Sequence, residues 1–155
     1  MSNDFRERLN QALKEAMRAK DQRAISTLRL ILAALQDRDI AARGKSPDGR
    51  ITDDEILQML QSMVKQREES IAMYEQGGRL ELAEQEQAEI DVIRQFLPKQ
   101  LSESETRDAV DSTIAALDAA SLKEMGKVMG ELRTRYAGRM DFGKASALVK
   151  QSLGR

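Results

Sequence analysis

Three times along this chain a serine or threonine stands three residues ahead of a glutamate, at the head of an apolar-periodic run. The pairs are Thr52 with Glu55, Ser102 with Glu105, and Ser121 with Glu124. In such a capping box the hydroxyl accepts a hydrogen bond from a free backbone N–H of the first turn, and the carboxylate accepts one from the capping residue's own N–H. Three helix starts of one kind leave little room for a sheet. Pro47 and Pro98 are the only prolines, and each falls between periodic runs rather than inside one. Apolar residues recur at three- and four-residue intervals through most of the chain, the helical spacing. The predicted fold class is therefore all-α.

The runs divide as follows. A first helix over about residues 4–20 has Ser2, Asn3 or Asp4 as cap and Phe5, Leu9, Ala12, Leu13, Ala16 and Met17 as its buried stripe. A second spans about 21–43. Its middle, residues 27–35 (TLRLILAAL), is apolar nearly all round except at Arg29, which places it at the centre of a bundle. Arg29 then requires a carboxylate or a route to solvent, because an unpaired buried charge is costly. Residues 44–50 (GKSPDGR) form a loop. Its Gly44-Lys45-Ser46 is not a phosphate loop, since Asp39 occupies the place of the earlier glycine and no strand leads in.

A third helix runs to about Gln76, with Ile56, Leu60, Met63, Val64, Ile71 and Tyr74 inward. Asp53 and Asp54 in its first turn complement the helix dipole rather than form a catalytic pair. Gly77-Gly78 breaks it, and a fourth, acidic helix returns over about 79–96 with Ala83, Ile90, Ile93 and Leu97 as its seam. After Pro98 come a fifth helix opened by Ser102, a sixth from Ser121, and a seventh capped by Asp141. The expected organisation is an N-terminal bundle of about four helices, residues 1–98, followed by a small three-helix C-terminal domain, residues 99–155.

The sixth helix has three separable faces. Leu122, Met125, Val128, Met129, Leu132 and Tyr136 form the apolar one, Glu124 and Glu131 share a flank, and Gly138 is placed to end the helix in the left-handed conformation. The opposite flank carries Lys123, Gly126, Lys127, Gly130, Arg133 and Thr134. Glycine inside a helix costs about 1 kcal/mol relative to alanine, so two of them four apart need a reason. Spacing alone favours close packing of a neighbouring helix. The functional reading is close approach of a ligand backbone, such as nucleic-acid phosphates, steered by the basic side chains.

Charge supports the second reading. The chain is nearly neutral, with 25 basic and 26 acidic side chains, yet residues 121–155 hold eight bases against three acids. That segment is +5, leaving −6 for the rest, so attraction to a polyanion must be local. Base-stacking aromatics do not accompany the bases, which favours recognition of shape and phosphate over single-strand readout. The candidate contact residues are Lys123, Gly126, Lys127, Gly130, Arg133 and Arg139.

Catalysis finds no foothold. Without cysteine or histidine there is no thiol nucleophile, no Cys/His zinc site, no disulfide and no imidazole base. The expectation is no catalytic residue, no metal and no cofactor. No apolar run reaches membrane-spanning length, and the N-terminus lacks an apolar signal segment, so a cytoplasmic protein is expected.

Taken as an ordered set, several motifs resemble the YqeY-like proteins: residues 28–35, KQREESI at 65–71, Tyr74-Glu75, Gly78-Arg79, Leu82-Ala83, Glu86, Glu89-Ile90, FLPKQLS at 96–102, MGKVMG at 125–130, and Gly138-Arg139 with Asp141. The likeness runs from about Phe5 to Leu153. That family is similar to the C-terminal part of the B subunit of glutamine-dependent aspartyl/glutamyl-tRNA amidotransferase, whose helical tail helps hold tRNA. The resemblance implies a helical bundle with a three-helix tail, and tRNA or another structured RNA as partner. It also implies a possible protein partner, an amidotransferase or another aminoacyl-tRNA-related enzyme. Carbon–nitrogen ligase activity with glutamine as amide donor belongs by this resemblance to a preceding catalytic domain, so any part played here is that of an accessory component. A helical protein–protein adaptor is the remaining alternative.

Overall fold

The computed structural model describes residues 4–154, and every regular element among them is helical. The chain divides into two compact units, Met1–Leu97 and Pro98–Arg155. The first contains α1 (Phe5–Ala19), α2 (Gln22–Ala41), α3 (Asp53–Gln76) and α4 (Leu80–Arg94). The second contains α5 (Glu103–Ala116), a 3₁₀ turn (Leu122–Glu124), α6 (Met125–Arg135) and α7 (Phe142–Leu153).

Several helix ends in the first unit have a local reason. Asp4 caps α1 by accepting from the Arg6 N–H at 2.9 Å; the alternative caps Ser2 and Asn3 lie outside the described residues. Lys20 ends α1 in the left-handed conformation, φ 57°, and Asp21 next to it caps α2 by accepting from the Ala24 N–H. At α3 the reciprocal capping box forms, Glu55 N–H on Thr52 Oγ1 and Thr52 N–H on Glu55 Oε1. Gly78, φ 72°, turns the chain into α4.

The core of this unit is Leu9, Leu28, Ile31 and Leu35 packed with Ile56, Met59, Leu60, Ile90, Ile93 and Phe96. Arg6 fastens α1 to the end of α2: its Nη2 lies 2.6 Å from Asp39 Oδ1 and its Nε donates to Oδ2 at 3.1 Å. Asp39 also accepts from the Ile51 N–H. Burial works to raise the Asp39 carboxyl, but Arg6 and the Ile51 N–H together hold it below the usual carboxylate range. Arg67–Glu89 and Arg94–Glu68, both at 3.1 Å, cross between α3 and α4, so the charged stretch 66–69 bridges helices as well as facing solvent.

Two expectations are corrected. Met17 is half exposed rather than inward. The apolar middle of α2 is not surrounded: α1, α3 and α4 pack on the side bearing Leu28, Ile31 and Leu35, while Leu30 and Ala33 are exposed. Arg29 needs no buried carboxylate because it too is exposed.

In the second unit, Ser102 and Glu105 form the expected capping box, and Asp141 caps α7 by accepting from the Gly143 and Lys144 N–H groups. Val110 from α5, Val128, Met129 and Leu132 from α6, and Ala145, Val149 and Leu153 from α7 close on Met140, which is 1% exposed. The anticipated box at Ser121 is absent. The Ser121 hydroxyl caps nothing, and the chain enters α6 through the 3₁₀ turn, where Glu124 accepts from the Ala120 N–H at 3.2 Å. Leu122 is consequently half exposed instead of joining the apolar face.

Candidate nucleic-acid interface

The apolar stripe of α6 determines which of its residues face out. Burying Val128, Met129 and Leu132 against α5 and α7 leaves Gly126, Lys127, Gly130, Arg133 and Thr134 exposed. Lys123, in the 3₁₀ turn just before, is exposed as well. A Cβ built on Gly126 or Gly130 meets nothing within 4 Å, so no other part of this unit packs there. Close packing of a neighbouring helix, which the spacing favoured, is therefore not how this unit uses its two glycines. The result is a helix surface stripped to backbone over one turn and edged by cations.

The charges on the segment differ in how far they are already engaged. Arg135 pairs with Glu131 at 2.8 Å, one turn apart on α6. Glu124 is committed to the Ala120 N–H. Among the described residues neither Lys123 nor Lys127 has an ion-pair partner, so their ammonium groups face solvent alone. The guanidinium of Arg133 lies 5.9 Å from the centroid of the Phe142 ring, a cation–π contact that orients the charge without neutralising it.

Arg139 stands apart from the other five candidates. It is half-buried, its Nε donates to the Lys99 carbonyl at 3.1 Å, and its own carbonyl accepts from the Leu101 N–H at 2.8 Å. Here it fastens the segment before α5 to the turn between α6 and α7. Gly138, φ 76°, allows that turn. The Thr134 hydroxyl is taken up too, donating to the Gly130 carbonyl at 3.0 Å.

The Arg133–Phe142 contact had no signal in the sequence, since it depends on how α7 lies against α6. The Phe142 ring thus sits beside the basic flank, half-buried and with Arg133 over it. Among the described residues no group of three carboxylates is disposed to hold a metal ion, and no helix is long and apolar enough to cross a membrane.

Known proteins resemble this chain along most of its length. The family model described as Yqey-like protein matches residues 6–153. A relative from the fungus Pyrenophora tritici-repentis, altered inheritance of mitochondria protein 41, is 30% identical over 151 residues, covering 95% of this chain and 80% of its own length. The protein of the same name from Saccharomyces cerevisiae strain YJM789 is 31% identical over 126 residues. That match takes in 77% of this chain and 65% of the yeast protein, so the chain spans about two-thirds of the yeast relative.

Proposed function

Since this chain belongs to the YqeY-like protein family, we propose that it is a non-catalytic helical module that binds tRNA or another structured RNA through the basic flank of α6. One observation carries the reading: Gly126 and Gly130 are open to solvent beside two lysines that have no ion-pair partner among the described residues. A sugar–phosphate backbone can approach main chain there more closely than it could over any side chain. Lys123, Lys127 and Arg133 would neutralise phosphates along the way, with Arg139 acting chiefly to hold the adjoining turn. Such contacts fix position on a duplex rather than read its sequence.

The test is binding of bulk tRNA to the full chain across a salt series. Each lysine that neutralises a phosphate adds about 0.7–0.9 to the slope of log K against log salt. The double variant Lys123→Glu/Lys127→Glu should lose at least tenfold in affinity at low salt, with a visibly shallower slope. Absence of salt-sensitive binding at micromolar protein would overturn the proposal.

The same open glycine pair also suits a partner helix, which keeps a protein adaptor in play. Gly126→Leu separates the two: an adaptor would lose its protein complex and keep its RNA. An accessory role beside a glutamine-using carbon–nitrogen ligase would appear as copurification with, or stimulation of, such an enzyme. A cytoplasmic location belongs to this proposal; the names of the fungal relatives place those proteins in mitochondria, and fractionation of the native protein decides between them.

A further inference from the structure

Helix α2 carries a surface that its own unit leaves uncovered and that is complementary to itself. Ser26, Arg29, Leu30, Ala33, Asp37 and Ile40 lie along its outer side, all exposed, with Leu30 at 46% and Ile40 at 47%. Towards one end, Gln22, Ile25, Ser26, Arg29 and Leu30 line an open depression floored by the buried Ile25. Towards the other end Ile40 projects as a knob. Ala33 lies midway, small enough for a second helix to cross closely. Among the described residues neither Arg29 nor Asp37 has an ion-pair partner.

An antiparallel copy of α2 crossing at Ala33 satisfies all of these at once. Two-fold symmetry about that residue sets position 40 against position 26 and position 37 against position 29. Ile40 of each chain then enters the depression around Ser26 of the other, and Arg29 of each meets Asp37 of the other. An isologous contact requires this kind of self-matching, in which every feature is used twice. The geometry points to a homodimer formed through the outer face of α2, with a second copy of this chain as the partner.

The contact is small. A 20-residue helix is about 30 Å long, and one face of it falls short of the roughly 800 Å² per partner found in stable interfaces. The dimer is therefore a weak one, observed in the range of roughly 1 µM to 1 mM. Because both charges are exposed, reversing either leaves the fold intact, and circular dichroism verifies this for each variant.

Sedimentation equilibrium of the full chain is the test. The wild-type mass should rise from 17.4 kDa towards twice that value with concentration. Arg29→Asp alone and Asp37→Arg alone each place like charges together twice, and each should weaken self-association at least tenfold. An equimolar mixture of the two variants restores opposite charges at both positions and should associate to within roughly threefold of wild type. Wild-type protein that stays monomeric throughout would overturn the inference, as would single variants that dimerise unchanged or a mixture that fails to associate.

Discussion

An alanine methyl at Gly126 or Gly130 would enter empty space on an ordinary right-handed helix. Each replacement should therefore raise stability, by about 0.4–1 kcal/mol, read as an increase in the thermal midpoint. On the proposed RNA-binding reading the same replacements lower affinity, because each methyl stands where a phosphate would come closest. A rise in stability with a fall in binding is an outcome that a merely structural role for these glycines does not give. Glu86 makes a different residue-level case. Burial raises its carboxyl first, the neighbouring Glu89 charge raises it further, and Arg67 only partly offsets them. A folded-state value above the unfolded one means that its proton favours folding at low pH, and that this contribution disappears as pH rises through the folded value. Glu86→Gln should accordingly be more stable than wild type at pH 7. The difference should close as pH falls below the ordinary carboxylate range, as followed by urea unfolding at several pH values.

Within helices, the three capping sequences look alike and do not behave alike. Ser102 and Thr52 accept the hydrogen bonds that open α5 and α3, whereas the Ser121 hydroxyl accepts none and a 3₁₀ turn intervenes. Ser102→Ala should cost about 1 kcal/mol in chemical unfolding. Ser121→Ala should stay within about 0.5 kcal/mol, as for an ordinary surface position. The difference arises because Glu124 is drawn to the Ala120 N–H, so the two halves of a box cannot close on each other. In α2 the lesson is about coverage. Residues 27–35 of α2, apolar nearly all round except at Arg29, have the composition of a bundle centre, but among the described residues α1, α3 and α4 pack on the side bearing Leu28, Ile31 and Leu35.

At the scale of the molecule, the two units differ in how much apolar surface each removes from water. Among the described residues fifteen buried apolar side chains form the first core and nine the second. The smaller core supports less stability, so amide protons of α5, α6 and α7 should exchange through openings of lower free energy than those of α2, α3 and α4, as read by native-state hydrogen exchange. Slower exchange in the second unit would show that its stability comes from something other than its own core. The sequence by itself determined the all-helical class, the order of the helices, most of their ends, and the apolar stripes that become the two cores. Those features are local: caps, glycines in turns and a 3.6-residue period act within a few residues of where they are written. It also put Lys123, Gly126, Lys127, Gly130 and Arg133 on one flank, which follows from the same period. Only the tertiary structure decided that nothing in their unit packs on the glycines, that Arg139 is engaged with the Lys99 carbonyl, that Arg133 rests on Phe142, and that one side of α2 stays open. Each of these depends on which helix meets which, and a side chain's partner across an interface leaves no periodicity in its own segment.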